Sequence, residues 1–203
     1  MSLILVEPEK SGFELIPEDT YSSVCYGIVD NGEAYDEKWG KVKRKVTLLW
    51  ELEYENEDGV TKRGTISKTY VFSMHENATL RKALKAWRGR EFTADELKGF
   101  DIKNVLGAPC LLQITHYTGN DGSVRASINT IARLPKNMPQ LTPDRERLYF
   151  DCEESDLTLL SKLPGYLQER IQESDTYKNR IKCDSAGVIS EPAGWDGEDD
   201  LPF

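Results

Sequence analysis

The chain has 203 residues, 38% of them hydrophobic, and a formal net charge of −9. That length allows one domain with extensions or two small domains, and the low apolar share predicts that some of the chain stays unpacked. No apolar run reaches the roughly 18 residues of a membrane span, and Met1–Pro8 has no basic n-region, so a cytoplasmic protein without a membrane partner is expected.

Residues 1–20 carry Pro8, Gly12 and Pro17 and read as an arm. Tyr21 to Val29 alternates as a strand, with Val24, Tyr26 and Ile28 on one side, and Asp30-Asn31-Gly32 signals a turn. Lys43 to Glu53 is the second strand. Val46, Leu48, Trp50 and Leu52 share one face; Lys45, Thr47, Leu49 and Glu51 share the other. A hairpin loop at 55–59 leads to a third strand, Thr65 to Ser73.

The period then changes. Leu80, Leu84 and Trp87 recur at i, i+4 and i+7, the spacing of one helical face, with Asn77 able to cap the start and Gly89 the end. Thr93-Ala94-Asp95-Glu96 forms a capping box for a second short helix. Pro109–Tyr117 and Ser123–Leu134 are two further strands, joined by a glycine-rich turn at 118–122.

The order β-β-β-α-β-β over residues 21–135 fits a mainly β fold, a five-stranded OB-type barrel with a helical insert, although other small barrels share that order. Residues 136–180 read as a polar extension with one short helix near Leu163–Glu173, and residues 181–203 as a disordered acidic tail.

The four cysteines are scattered and the two histidines give no paired spacing, so reduced thiols, no metal and no cofactor are expected. There is no G-x-S-x-G and no phosphate-binding glycine loop, so the chain does not read as an enzyme. Glu51 and Glu53 share a strand face, as a metal pair or as a solvated strand end.

The charge is unevenly spread. Residues 1–37 are net −8, residues 38–133 hold seventeen bases against eleven acids for net +6, and residues 151–203 are net −8. A local basic surface binds phosphate whatever the global sum. Within that segment lie Trp39, Lys41, Lys43, Arg44 and Lys45, then Lys62, Arg63, Lys68 and Tyr70, then Tyr117 and Arg125. Cations that track phosphates and rings on which bases stack are what single-strand binding requires. Trp50 and Trp87 share faces with core residues, Trp39 is the best stacking candidate, and Tyr70 and Tyr117 fit either role. Arg88 and Arg90 fit either a phosphate grip or a helix C-terminus.

The chain ends Asp199-Asp200-Leu201-Pro202-Phe203. An acidic run ahead of an apolar aromatic end suits a basic-rimmed apolar pocket on a partner. These five residues resemble the acidic tip of bacterial single-stranded-DNA-binding proteins, usually Asp-Asp-(Ile or Leu)-Pro-Phe. Residues 13–135 resemble a group of phage-encoded proteins through Lys68-Thr69-Tyr70, Leu80-Arg81-Lys82, the run Trp87–Thr93 and the run Gly99–Gly107. The resemblance implies single-stranded-DNA binding in phage replication or recombination, in the host cytoplasm. It further implies that the tip recruits replication or recombination enzymes. It fixes no DNA-contacting residue. The alternative expectation is an adaptor that mimics the tip without binding DNA.

Overall fold

A computed structural model of the protein describes residues 14–37 and 40–187. The fold is mainly β. Strands β1 (Thr20–Asp36), β2 (Lys41–Glu55) and β3 (Thr61–Val71) are followed by helices α1 (Thr79–Arg88) and α2 (Ala94–Lys98). Strands β4 (Pro109–Thr118), β5 (Val124–Arg133) and the short β6 (Leu148–Phe150) come next, then helices α3 (Gly165–Glu173) and α4 (Asp175–Gly187). The sheet runs β3-β2-β1-β4-β5, with β6 pairing with β1 off this path. β1 with β4 and β4 with β5 are antiparallel. Five strands were expected; β6 is a sixth, too short to show an alternating pattern.

The described residues form two compact units, one from 14–29 and 46–149, the other from 30–37, 40–45 and 150–187. In the first, Val46, Leu48, Trp50 and Leu52 of β2 meet Leu80, Leu84 and Trp87 of α1 in one apolar core. The alternation of β2 and the i, i+4, i+7 stripe of α1 thus both point inward, as the sequence predicts. Trp50 is fully buried, and its ring centroid lies 5.8 Å from that of Trp87. Trp87 Nε1 donates to the Pro109 carbonyl at 2.9 Å, which supplies its one donor with a partner. The ladder of β4 with β5 slips between Gln113 and Ile114, where Asn129 of β5 is skipped.

The edge strands β3 and β5 come close to one another, and Lys68 Nζ donates to the Ile128 carbonyl at 2.6 Å. Helix α1 ends at Gly89, whose φ of 65° is the left-handed geometry of a C-cap. Its N-cap is Ala78, not Asn77, and no side chain caps it. The Thr93/Glu96 capping box is present with both bonds made.

The other face of β2 departs from expectation. Thr47, Leu49 and Glu51 are buried too. Thr47 Oγ1 lies 2.9 Å from Thr69 Oγ1 and Leu49 packs over Gly27, while Glu51 is covered by the segment 142–145. The Asp144 and Arg145 backbone N–H groups each donate to the Glu51 carboxylate at 3.2 Å, and Arg63 donates to the Thr142 carbonyl at 2.9 Å. The Arg145 guanidinium lies 5.7 Å from the Tyr26 ring centroid.

In the second unit the expected turn at Asp30-Asn31-Gly32 is instead the middle of β1. Gly32, at φ 73°, is where Ser174 comes close: a Cβ at Gly32 would sit 2.6 Å from the Ser174 hydroxyl oxygen. The next residue, Glu33, donates its N–H to Thr176 Oγ1 at 2.9 Å. Phe150, Leu160, Leu163, Leu167 and Ile171 are buried. The helix expected near 163–173 is α3; α4 was not foreseen.

Candidate nucleic-acid interface

The structure separates the basic residues that sequence grouped. Lys41, Lys43, Arg44 and Lys45 belong to the second unit, and Lys62, Arg63, Lys68, Tyr70, Tyr117 and Arg125 to the first. Trp39 and the tip Asp199, Asp200, Leu201, Pro202 and Phe203 lie outside the described residues.

Most of these cations already face carboxylates. Lys43 pairs with Asp36 at 3.1 Å. Arg44 pairs with Asp30 at 2.7 Å, with Glu153 and Asp151 at 3.5 and 3.8 Å. Lys62 pairs with Glu14 at 2.5 Å, and Arg125 with Asp121 at 2.5 Å. Arg63 serves three acids: Asp144 at 2.8 Å, Glu53 at 2.9 Å and Glu51 at 3.1 Å. A guanidinium so engaged has little net field left for a phosphate. The same contacts answer the Glu51/Glu53 question: both acids belong to Arg63, and Glu51 is buried rather than a solvated strand end.

Tyr70 is in the core, so its ring is not a stacking platform, and burial pushes its phenol well above the usual value. Lys68, the nearest cation to that ring at 5.8 Å from the centroid, is half-buried, and desolvation lowers its pKa. Tyr117 is 49% exposed and stays available for stacking. Lys41 is exposed and Lys45 half-buried; neither makes an ion pair among the described residues. Cys25, Cys110 and Cys152 are buried free thiols; burial raises Cys25 to about 12 and Cys110 well above its ordinary value.

A different cationic site lies within the first unit. A cleft of about 480 Å³ is lined by Arg88 and Arg90 at the end of α1, by Arg133 and Lys136 at the end of β5, and by Glu96 and Phe100. Its volume is in the usual range of ligand sites, about 300–1,000 Å³. Glu96 is fully engaged. Its carboxylate accepts from Thr93 N at 2.9 Å, from Arg90 at 2.8 and 3.2 Å, and from Arg88. The Thr93 N–H and the Arg88 guanidinium hold this acid down to about 2. The Arg88 guanidinium also lies over Phe92 and Phe100, 4.5 and 5.1 Å from their centroids.

Of the two readings of Arg88 and Arg90, the local geometry is therefore that of a helix end: Gly89 caps it and Glu96 ties the arginines down. Arg133 and Lys136 were not foreseen. They sit at the polar end of a strand where sequence gives only isolated cations, and the fold alone brings them beside α1. The close approach of Arg133 to Gly89 shows this: a Cβ at Gly89 would lie 2.9 Å from Arg133 Cδ.

Among known proteins, no family model and no curated protein matches this sequence. Among the described residues no helix is long and apolar enough to cross a membrane.

Proposed function

We propose that the protein binds single-stranded DNA without sequence specificity, on an OB-type scaffold, and recruits replication or recombination enzymes through Asp199–Phe203. The observation that carries this reading is the acidic tip sequence, in which Leu201-Pro202-Phe203 follows the four acids Asp196, Glu198, Asp199 and Asp200. The strand path supports it. In an OB-fold the helix falls between the third and fourth strands, and the five strands form a small partly open Greek-key barrel. The path β3-β2-β1-β4-β5 with α1 after β3, and the Lys68–Ile128 bond between its two ends, are consistent with that architecture.

A second reading has its own observation. Lys43, Arg44, Lys62, Arg63 and Arg125 are all paired with acids, as an adaptor that never meets DNA would tolerate. Competition separates the two. A labelled oligo-dT should bind the full chain and resist displacement by an equal mass of duplex DNA. Failure to bind oligo-dT at low salt, with capture of a replication enzyme intact, would establish the adaptor.

A further inference from the structure

We infer that the cleft between the end of α1 and the end of β5 is the phosphate-binding site for single-stranded nucleic acid, with Arg133 and Lys136 as its principal contacts. This rests on the DNA-binding reading above and relocates its site to Arg133, the last position of the basic segment, and Lys136, just beyond it, neither of which sequence singles out.

Charge is the first argument. The cleft holds four cations and one acid, and that acid is already shared by Arg88 and Arg90. Arg133 and Lys136 are exposed and make no ion pair among the described residues. They are therefore unlike the five paired cations above, whose charge is answered within the protein. A phosphodiester entering the cleft meets uncompensated positive charge.

The second argument is an unmet hydrogen bond. Arg88 lines the cleft, and its Nη1 is buried with no acceptor among the described residues. Buried donors are almost always satisfied, and an orphan on a charged group costs more than one on a neutral group. An anionic oxygen in the cleft supplies the acceptor class that this donor lacks.

The third argument is continuity. Arg90 also lines an adjoining cleft with Lys82 and Lys85 of α1 and with Glu91, which pairs with Lys85. Arg81, Lys85 and Arg88 recur at i, i+4 and i+7, so they form a stripe about 10 Å long beside the apolar stripe. α1 contains no acid. A run of cations suits a polymer of phosphates better than a single carboxylate does. An acidic peptide ending in an aromatic ring would need an open apolar socket. Trp87, Val105 and Leu134 of this cleft are each under a tenth exposed, and the half-buried Phe100 carries the Arg88 guanidinium over its ring, so the open apolar lining is confined to Ala108, Pro109 and Pro135.

The test uses the full chain and fluorescent oligo-dT over a range of salt. Arg133→Gln with Lys136→Gln should weaken binding roughly tenfold or more. It should also reduce the magnitude of the log–log salt slope by about 1.4, from two lost contacts at about 0.7 each. Lys41→Gln with Lys45→Gln should change both quantities less. If the double variant melts below the wild type, Lys136→Glu alone repeats the test at one exposed position. If the wild type binds oligo-dT and the cleft variants bind it equally with the same slope, the inference is wrong while the DNA-binding reading stands. If the wild type itself does not bind, that reading fails, and the inference with it. If a labelled peptide of residues 195–203 binds the wild type and is lost in the cleft variant while oligo-dT binding is unchanged, the cleft is a protein-docking site and the inference is overturned.

Discussion

Lys68 Nζ donates to the backbone carbonyl of Ile128 at 2.6 Å, so a charged side chain on β3 reaches the main chain of β5, at the opposite end of the strand path. Desolvation lowers the Lys68 pKa below its ordinary 10.5. In the window just below pH 10.5 the unfolded chain then holds more protons than the folded one, so stability from this site rises with pH there. Replacing Lys68 by Met should remove that rise. The measurement is the difference in urea midpoint between wild type and variant, from neutral pH to about pH 10. A constant difference across the window would show a fully solvated ammonium.

Glu51 is buried and accepts from Arg63 and from two backbone N–H groups of the 142–145 segment. Glu51→Ala strips the Asp144 and Arg145 N–H groups of their acceptor, while Arg63 keeps Glu53, Asp144 and the Thr142 carbonyl, and should cost about 2–3 kcal/mol in denaturant unfolding. Glu51→Gln keeps one acceptor oxygen and should cost less. A loss below about 0.5 kcal/mol in the alanine variant would mean the segment is not held by this carboxylate.

Trp50 has no exposed surface, and Trp39, outside the described residues, is flanked in sequence by Lys38 and Lys41. Trp50→Ala should lower stability by about 3–5 kcal/mol through the cavity it leaves. Trp39→Ala should instead weaken oligo-dT binding more than Trp50→Ala does at matched folding. Equal stability losses from the two would reverse the assignment of these rings.

Glu96 titrates near 2 in the folded protein, against an ordinary 4.5, because the Thr93 N–H and the two arginines favour its charge. Stability from this group is complete above pH 4.5 and is lost as pH falls from 4.5 toward 2. Glu96→Gln should flatten this part of the acid melting profile. It also leaves Arg88 and Arg90 uncompensated, so oligo-dT should bind the variant more tightly at neutral pH. Weaker binding in a folded variant would show that Glu96 acts by positioning the arginines.

The legible parts of the fold were those carried by local period. The apolar faces of β2 and α1, the Gly89 cap and the Thr93 capping box depend on residues within a few positions of each other, and each is as the sequence predicts. The second face of β2 was not legible, because Thr47 and Glu51 look like solvated strand residues until Thr69 of β3 is placed beside the one and segment 142–145 on the other. Leu49, the one apolar residue on that face, was the available signal. Gly32 was misread for a similar reason. A glycine after Asp-Asn signals a turn locally, whereas here it makes room for Ser174, far along the chain. The candidate site suffered most. Sequence counts charges but cannot pair them, so Arg44 and Arg63 looked available while Arg133 and Lys136 looked incidental.

The tip can be separated from the DNA surface by deletion. Removing Asp199–Phe203 should leave oligo-dT affinity unchanged or raise it, because tethered carboxylates compete with phosphate at high effective concentration. Any gain should shrink as salt rises. Phe203→Ala keeps the charge and should abolish only partner capture. A several-fold loss of DNA affinity on deletion, with the fold intact, would place the tip in the binding surface.

Single-stranded-DNA binding through phosphate contacts, as proposed above, can be measured by titrating the full chain with labelled oligo-dT from low to physiological salt. Binding is expected at low salt, with log affinity falling linearly against log salt, about 0.7 per phosphate contact. No binding at low salt, or an affinity indifferent to salt, would contradict it.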